Sequence, residues 1–212
     1  MYKKLIVDSG KRMAKSGLTV ETWGNISARD KDGGLVYLTP SAMSYEIIGE
    51  DDIVVADLAG NIVDGKRKPT VEFELHLGVY RVRPDVNAVV HTHPVYSQIF
   101  GVLREAIPAV IDEAAQILGG EVRCARYELP GTKELAAACA EALGRDGYAC
   151  LLANHGAVCI GADMDAAFRV AKVLEMTAQI YAHARMIGRP RLLEKEQIAY
   201  MHDFAYHHYR QP

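Results

Sequence analysis

The sequence has few cysteines, and none of them forms a CxxC pair. Of the four, Cys150 and Cys159 lie within apolar runs, which is typical of buried free thiols. A small secreted domain held together by disulfides would carry a denser set of paired cysteines. This scarcity argues against a disulfide framework and predicts a reducing, cytoplasmic setting.

Strong charge of one sign is also missing, as is any long apolar run. The 212 residues carry a net charge of −3 and no block of lysines and arginines, so no nucleic-acid partner is expected. The first residues, MYKKLIVDSGKRMAKSG, are too charged for a signal peptide. No apolar run approaches the roughly 20 residues that span a bilayer. We therefore expect no membrane association and a cytoplasmic location.

No repeat, low-complexity segment or linker divides the chain, so we expect a single domain over residues 1–212. Apolar residues at helical spacing alternate with short strand-like runs, which predicts a layered α/β domain. The predicted helices cover residues 2–16, 70–83 with Thr70 as N-cap, 96–106, 131–144, and a long segment from Asp163 or Asp165 to 188. The predicted strands lie within 25–30, 34–40, 52–60, 61–65, 87–93 and 107–111, and 148–161 is an apolar stretch with a polar break.

The segment AVVHTHPV, residues 88–95, ends an apolar strand in two histidines that are one residue apart. Residues i and i+2 of a strand project from the same face, so His91 and His93 can hold one metal ion between them. Such a pair is often structural, and a catalytic zinc site typically takes three protein ligands. The pair therefore predicts a metal site only where further ligands reach the same strand end.

Three other residues are candidates for that site. His155 follows an apolar strand in LLANHGAV, although taken alone it is more typical of a satisfied loop histidine. Glu72 lies near the start of a predicted helix, where the helix dipole favours a carboxylate, so it is either a metal ligand or a simple first-turn acid. His76 lies one turn later on the same side, where a packed or supporting histidine is the more common role.

Three short polar turns carry a second signal: TWGNIS (22–27), TPSAM (39–43) and KPTVE (68–72). The Gly-Asn pair of the first turn offers backbone N–H groups and an amide that can bind an anion. Each turn alone is typical of an ordinary loop. Together with a candidate metal site, the three turns favour a small phosphorylated substrate.

Taken in order, these segments resemble the class II aldolase/adducin family, and within it the aldolases that cleave L-fuculose 1-phosphate. The similarity covers nearly the whole chain. Its most specific part is the HxH pair after RPDVNAVV, followed some sixty residues later by NHG. The resemblance implies a three-layer α/β/α domain around a central, mostly antiparallel sheet. It also implies a homotetramer with active sites at the subunit interfaces.

The resemblance also implies roles for individual residues. His91, His93 and His155 match the zinc ligands, and the same ligand types also suit Mn²⁺, Co²⁺ or Fe²⁺. Glu72 matches the acidic residue that ligates the metal or acts as the base. The phosphate-binding positions of the family match Thr22, Gly24, Asn25, Ser41, Ala42 and Thr70.

The chain departs from the aldolase pattern close to the substrate. Val71 stands where these aldolases have a second hydroxyl residue, so one phosphate donor is missing. Asp112 stands at or next to the position of a tyrosine proton donor, with Glu113 beside it, and both are also typical of solvated acids. A C-terminal tyrosine of the family matches Tyr206 or Tyr209; the spacing fits both, and Tyr209 is our first candidate.

The resemblance implies a metal-dependent aldehyde-lyase that cleaves a ketose 1-phosphate, through an enediolate, to dihydroxyacetone phosphate and a small aldehyde. Glu72 would move the proton, and a second acid (Asp112, Glu113 or a C-terminal tyrosine) would serve the aldehyde oxygen. One alternative is a pentulose-phosphate 4-epimerase, a decarboxylase or a dehydratase, although the epimerases typically carry Asp in place of Glu72. Another is an adducin-like interaction domain, which has no need of three histidines and an acid.

Overall fold

The computed structural model describes residues 1–30 and 34–208, and within these ranges the chain forms seven α-helices and eight strands. The helices are α1 (Tyr2–Lys15), α2 (Phe73–Val82), α3 (Val95–Leu103), α4 (Asp112–Leu118), α5 (Lys133–Leu143), α6 (Met164–Ile187) and α7 (Lys195–His207), and a 3₁₀ turn covers Glu50–Asp52. The strands are β1 (Asn25–Arg29), β2 (Val36–Leu38), β3 (Val54–Ala56), β4 (Ile62–Asp64), β5 (Ala88–Thr92), β6 (Cys124–Ala125), β7 (Ala149–Leu152) and β8 (Gly156–Gly161).

All eight strands belong to one sheet, in the order β4-β3-β2-β1-β5-β8-β7-β6. Each neighbouring pair is antiparallel except β6 and β7. β5 lies in the centre of the sheet. There His91 is paired with Asn25 of β1 on one side and with Val158 of β8 on the other. The predicted, mostly antiparallel sheet is confirmed.

Helices cover both faces of this sheet. Successive side chains of a strand point to opposite faces. Accordingly, Val89 packs with residues of α2 and α5, whereas its neighbour Val90 packs with residues of α1 and α6. Phe100 of α3 and Ala114 of α4 extend the second face, and α7 packs against α4. The predicted three-layer α/β/α arrangement is therefore confirmed.

β5 owes its place and its end to its sequence. Its apolar part is rich in β-branched side chains, which favour strands, and all five of its residues are buried between two neighbouring strands. The ladder stops at Thr92, one residue before the predicted end, and Pro94 follows without an N–H group to donate. His91 therefore lies within the sheet, while His93 lies just beyond the C-terminal end of β5.

Some predicted boundaries were wrong. Helix α2 begins at Phe73 with Glu72 as its N-cap, and not with Thr70 as predicted. Thr70 lies in the preceding turn, because its backbone N–H donates to the carbonyl of Thr39. The segment 107–111 forms only an isolated bridge between Ile107 and Val122, since the following proline cannot continue a ladder. Helix α7 was not predicted at all.

The cysteines and the helices bear on the class of protein that the sequence predicts. Cys139, Cys150 and Cys159 are buried free thiols, as expected for Cys150 and Cys159 from their apolar surroundings, and Cys124 is half-buried. None of the described helices combines the length with the hydrophobicity that crossing a membrane requires.

Candidate active site

The two histidines of the HTH segment lie at one end of the central strand. The turn between β7 and β8 brings His155 to the same end, because β8 runs antiparallel beside β5. This turn needs Gly156, since a Cβ there would lie 2.3 Å from the carbonyl oxygen of Thr92 and 3.2–3.3 Å from the rings of His91 and His93. The glycine of NHG thus allows two backbones to approach closely enough for the histidines to meet.

The three imidazoles form a compact cluster. His91, His93 and His155 each offer one nitrogen, and these atoms lie within 4.8 Å of one another. The Nε2 atoms of His91 and His93 are 3.0 Å apart. The ring centroids are 4.8–5.0 Å apart, and the rings are steeply inclined to one another. The structure therefore brings together the three histidines that the sequence singled out.

Burial favours the neutral form of these imidazoles. It lowers the pKa of His91 well below its ordinary value and the pKa of His93 to about 4, and the neighbouring His155 acts in the same direction. Burial also lowers the pKa of His155, although the carboxylate of Glu72 opposes this shift. Neutral imidazole is the form that ligates a metal ion.

Hydrogen bonding leaves ring nitrogens free to bind a metal. Nδ1 of His91 lies 3.0 Å from the carbonyl oxygen of Ala157, and because a carbonyl only accepts, this nitrogen carries the proton. Nε2 of His91 therefore presents a lone pair to the cluster, as in metal-binding histidines oriented by a backbone carbonyl. Nδ1 of His155 is buried and finds no hydrogen-bond partner among the described residues. This donor set fits a divalent cation.

Glu72 faces the cluster from the start of α2. Its side chain is buried and makes no capping hydrogen bond to the helix. Oε1 lies 3.9 Å from Nε2 of His155. Oε2 accepts a hydrogen bond from Nδ2 of Asn25 at 2.8 Å and a longer one from the hydroxyl of Thr70 at 3.5 Å. The two carboxylate oxygens thus have different surroundings, one tied to polar side chains and one turned towards the histidines.

The three polar turns also lie next to one another. The backbone N–H of Thr70 donates to the carbonyl of Thr39, and the N–H of Ser41 donates to the carbonyl of Lys68, which joins the second turn to the third. The hydroxyl of Tyr45 donates to the carbonyl of Gly24 at 2.6 Å and so ties the first turn to the segment after the second. The six predicted phosphate positions therefore belong to adjoining turns.

Backbone geometry in these turns is unusual at two positions. Gly24 has a φ of 84°, and a Cβ on it would lie 2.7 Å from the carbonyl oxygen of His91, so the first turn packs directly on the strand of histidines. Ala42 has a φ of 53°, in the left-handed region that few non-glycine residues adopt. Such strained positions cluster at ligand-binding turns.

Two exposed apolar side chains border the site. Val71 is 57% exposed between Thr70 and Glu72, and a Cβ on Gly131 would lie 3.1 Å from its Cγ1. Trp23 is 61% exposed, and its ring is stacked 6.5 Å from that of His93. Val71 was expected near this site from the sequence, whereas Trp23 was not, and its only signal was its place within TWGNIS.

The candidates for the second acid lie elsewhere in this chain. Asp112 and Glu113 are exposed in the first turn of α4. Asp112 lines a groove of about 450 Å³ with residues of α7 such as Tyr200 and Met201, and none of the cluster histidines lines it. Within the described chain, Asp112 is therefore not placed beside the three histidines.

The C-terminal tyrosines are also remote or undescribed. Tyr206 stacks on Tyr148 and lines a cavity of about 790 Å³ together with Gly161. Gly161 and Gly156 mark opposite ends of β8, so this cavity lies roughly 17 Å from the histidine end at about 3.4 Å per residue. Tyr209 lies outside the described residues.

A buried network behind Glu72 was only partly anticipated. Oδ1 of Asn25 lies 2.6 Å from Nε2 of His76, whose Nδ1 lies 2.6 Å from the hydroxyl of Ser27. That hydroxyl lies 2.8 Å from the hydroxyl of Tyr80. The spacing signal was present, since Asn25 and Ser27 share one face of a strand and His76 and Tyr80 are four residues apart on a helix.

Comparison with known proteins agrees with this geometry. The family model described as "Class II Aldolase and Adducin N-terminal domain" matches residues 4–182. A 5-deoxy-D-ribulose 1-phosphate aldolase of Bacillus thuringiensis serovar kurstaki is 43% identical over 193 residues, covering 91% of this chain and 90% of that protein. An L-fuculose phosphate aldolase of Escherichia coli O6:H1 is 37% identical over 195 residues, covering 92% and 89%.

A solved structure gives the same result. An L-fuculose 1-phosphate aldolase matches with a TM-score of 0.91 at 38% identity, covering 95% of this chain and 94% of that one. The match therefore includes the fold and nearly the whole length of both chains. The chain belongs to the class II aldolase and adducin family, within which it groups with the lyases.

Proposed function

We propose that this protein is a metal-dependent aldehyde-lyase that cleaves a ketose 1-phosphate to dihydroxyacetone phosphate and a small aldehyde. One observation carries the proposal: the carboxylate of Glu72 is buried and directs Oε1 towards a cluster of three neutral histidines. An interaction domain without catalysis does not require a buried carboxylate beside three neutral imidazoles. The arrangement instead suits acid–base chemistry next to a cation.

His91, His93 and His155, with Glu72 as a fourth donor, would hold the ion. Imidazole and carboxylate ligands suit Zn²⁺ best, and Mn²⁺, Co²⁺ or Fe²⁺ could replace it. When bound, a divalent cation supplies Lewis-acid stabilisation of negative charge on the substrate's oxygen atoms. Every other part of the chemistry falls to side chains of the protein.

Glu72 is the proton carrier in this proposal. In the cleavage direction, a base removes the proton of the C4 hydroxyl, the C3–C4 bond breaks, and its electron pair remains on the three-carbon fragment. That proton passes from the base to Glu72, which delivers it to C3 of the fragment; the fragment leaves as dihydroxyacetone phosphate, and Glu72 returns to its ionised form. The hydrogen bond from Asn25 fixes Oε2, so Oε1 is the atom free to donate and accept.

The phosphate would bind in the adjoining polar turns, through Thr22, Gly24, Asn25, Ser41, Ala42 and Thr70. The left-handed backbone at Gly24 and Ala42 and the linked turns at Thr39 and Thr70 support this assignment. Val71 supplies no hydroxyl, so backbone N–H groups and the remaining side chains would make the contacts. The Bacillus relative and the solved structure described above are named for ketose 1-phosphates, which supports the same class of substrate here.

The second acid would come from another copy of the chain. Asp112 lies beside α7, away from the histidines of its own chain, and we propose a homotetramer of single-domain chains with active sites at the subunit interfaces. In such an assembly Asp112, Glu113, Tyr206 or Tyr209 of a neighbouring subunit would serve the aldehyde oxygen. Sedimentation measurements would give the number of chains, and a monomer with full activity would contradict this assembly.

A substrate panel tests the proposed function. Zn²⁺-loaded protein is incubated with 5-deoxy-D-ribulose 1-phosphate, L-fuculose 1-phosphate, a pentulose 5-phosphate and a phosphorylated sugar acid, and products are followed by ³¹P and ¹H NMR. We expect dihydroxyacetone phosphate and an aldehyde from at least one ketose 1-phosphate. An epimer without cleavage, or release of carbon dioxide, would replace the aldolase with an epimerase or a decarboxylase. A metal-loaded protein that converts none of the panel would favour the adducin-like alternative.

A further inference from the structure

We propose that His76 is a positioning residue for Glu72, acting through Asn25 as part of a buried chain of hydrogen bonds that begins at Tyr80 and Ser27. This inference rests on the proposed function, because it assigns a purpose to the orientation of the proposed proton carrier. Among the described residues, His76 makes its side-chain hydrogen bonds to Ser27 and Asn25, and none to His91 or His93. Its effect would reach the site only through the Asn25 amide.

The chain of hydrogen bonds is continuous and short. It runs from the hydroxyl of Tyr80 to that of Ser27 (2.8 Å), then to Nδ1 of His76 (2.6 Å). From Nε2 of His76 it continues to Oδ1 of Asn25 (2.6 Å) and from Nδ2 of Asn25 to Oε2 of Glu72 (2.8 Å). None of these contacts exceeds the ordinary length of a hydrogen bond.

The chemistry of each group fixes the direction of the chain. An ionised carboxylate only accepts, so Asn25 must present its NH₂ group to Glu72 and its carbonyl oxygen to His76. That oxygen also only accepts, so Nε2 of His76 carries the proton and Nδ1 does not. Nδ1 therefore accepts from the hydroxyl of Ser27, whose oxygen accepts in turn from Tyr80. One tautomer of His76 satisfies every group.

Burial holds the chain in that single arrangement. Ser27 and His76 are fully buried, and Tyr80 is 1% exposed. Burial lowers the pKa of His76 to about 3, so the ring stays neutral over the working range of an ordinary enzyme. Without water to offer other partners, turning the Asn25 amide over would place its NH₂ group against the N–H of His76 and its oxygen against the carboxylate.

The position of the chain in the fold explains why it can act on Glu72. Glu72, His76 and Tyr80 follow at intervals of four residues, so they form one stripe along α2. Asn25 and Ser27 project from one face of β1, and Asn25 is the partner of His91 in the sheet. The hydrogen bonds between the stripe and β1 therefore set the start of α2, and with it the carboxylate, relative to the strand of histidines.

The test compares two substitutions at one position with a control elsewhere. His76→Leu fills the space but removes both nitrogens, whereas His76→Gln can still direct an N–H at Asn25. Thr177→Val is the control, because it removes another fully buried hydroxyl, one that bonds only within α6. Measurements are kcat and KM on a ketose 1-phosphate, bound metal, thermal stability and the exchange of the C3 proton of dihydroxyacetone phosphate with solvent.

We expect His76→Leu to lower kcat and the exchange rate by roughly 10- to 100-fold, the usual range for residues that support a metal site from behind, with a smaller change in KM. His76→Gln should recover most of that loss, and Thr177→Val should lower stability without lowering kcat. If His76→Leu is destabilised like the control but keeps its kcat and exchange rate, the chain is only structural and the inference is wrong. If His76→Leu does not fold, Ser27→Ala replaces it, with the same expectation and the same contradiction.

A second measurement is independent of any activity. In metal-free protein with ¹⁵N-labelled histidines, we expect the His76 signal, identified by its loss in His76→Gln, to show a protonated Nε2 and an unprotonated Nδ1. A proton on Nδ1, or rapid exchange between tautomers, would overturn the inference. A wild-type protein that shows this tautomer but converts no ketose phosphate would instead contradict the proposed function, so the two failures are distinguishable.

Discussion

Two groups of buried polar side chains lie on either side of Glu72, and they differ in how well their atoms are satisfied. Behind Glu72, each donor of His76, Ser27 and Asn25 meets an acceptor within 2.8 Å. In front of it, the Nε2 atoms of His91 and His93 face each other at 3.0 Å, and Nδ1 of His155 lacks a partner among the described residues.

This difference indicates that the group behind Glu72 holds that residue in place, whereas the group in front of it binds a ligand. A fully satisfied buried network gains nothing from an added group and serves to fix geometry. A cluster of imidazoles that leaves a buried nitrogen without a partner is unfavourable by itself and becomes favourable when a cation binds. Glu72 lies between the two groups, with one oxygen in each.

The largest effect is expected from removing the cluster itself. The double change His91→Ala and His93→Ala should abolish metal retention, because it deletes two of three imidazole ligands, while the sheet stays folded. Wild-type protein purified without chelator should hold about one divalent ion per chain by elemental analysis. The control is the double change His183→Ala and His207→Ala, which should leave the metal content unchanged. Equal metal content in the two double variants would refute the site.

The next largest effect is expected at the residue shared by both groups. Glu72→Gln keeps the shape of the side chain but removes the proton carrier, so turnover should fall on the order of a hundredfold or more, the scale of a positioned acid or base. Binding of substrate should change less. Glu74→Gln, two residues along on α2, is the matched control and should retain turnover. Normal turnover in Glu72→Gln would place the base elsewhere, with Asp112 or Glu113 as the next candidates.

His76, in the hydrogen-bonded group behind Glu72, should make the free energy of unfolding depend on pH. Burial lowers the pKa of His76 from an ordinary value of 6.5 to about 3, so below pH 6.5 the unfolded chain takes up a proton that the folded chain refuses. The metal-free protein should therefore be most stable above pH 6.5 and lose stability as the pH falls towards 3. His76 should contribute at most about 1.4 kcal/mol per pH unit to that loss.

Denaturant unfolding of metal-free protein between pH 7.5 and 5 measures this contribution. Since carboxylates and the other histidines also titrate, the useful quantity is the difference in slope between wild-type protein and His76→Gln. We expect the shallower slope in the variant, because it lacks the buried imidazole. Identical slopes would show that His76 takes up its proton as readily in the folded chain as in the unfolded one.

The smallest effect is expected at Val71, beside the polar turns. Val71→Ser adds a hydroxyl between Thr70 and Glu72, and a net hydrogen bond should tighten phosphate binding by about 0.5–1.5 kcal/mol. Val82→Ser, which changes an exposed valine at the other end of α2, is the control and should bind phosphate like wild type. Phosphate binding that is undetectable in both forms, with turnover of a carboxylated substrate by the wild type, would contradict the sugar-phosphate proposal.

Local sequence patterns predicted the central parts of the molecule. The apolar run before His91 and the glycine after His155 each determine the local backbone, so both histidines could be placed at strand ends. The similarity to a known family then supplied the sheet and the layers. By contrast, local pattern misassigned the start of α2, because Thr70 is held by the carbonyl of Thr39, a residue far away in the sequence.

The undetected contacts behind Glu72 depend on pairing between distant segments. That Asn25 lies opposite His91 follows from the register of β1 and β5, which neither strand encodes alone. The roles of Ser27 and Tyr80 in the buried chain depend on how α2 docks on β1. Asp112 is a different case, since it lines a groove with residues of α7 that none of the cluster histidines lines, and its proposed role is across a subunit interface.

The central claim is that His91, His93, His155 and Glu72 together hold a divalent cation. Anomalous diffraction recorded on both sides of the zinc absorption edge, from crystals of protein purified without chelator, tests it most directly. We expect one strong peak per chain between the three imidazoles and Oε1 of Glu72, present above the edge and weak below it for zinc. The absence of any anomalous peak there, with His91 and His93 still in direct contact through their Nε2 atoms, would contradict it.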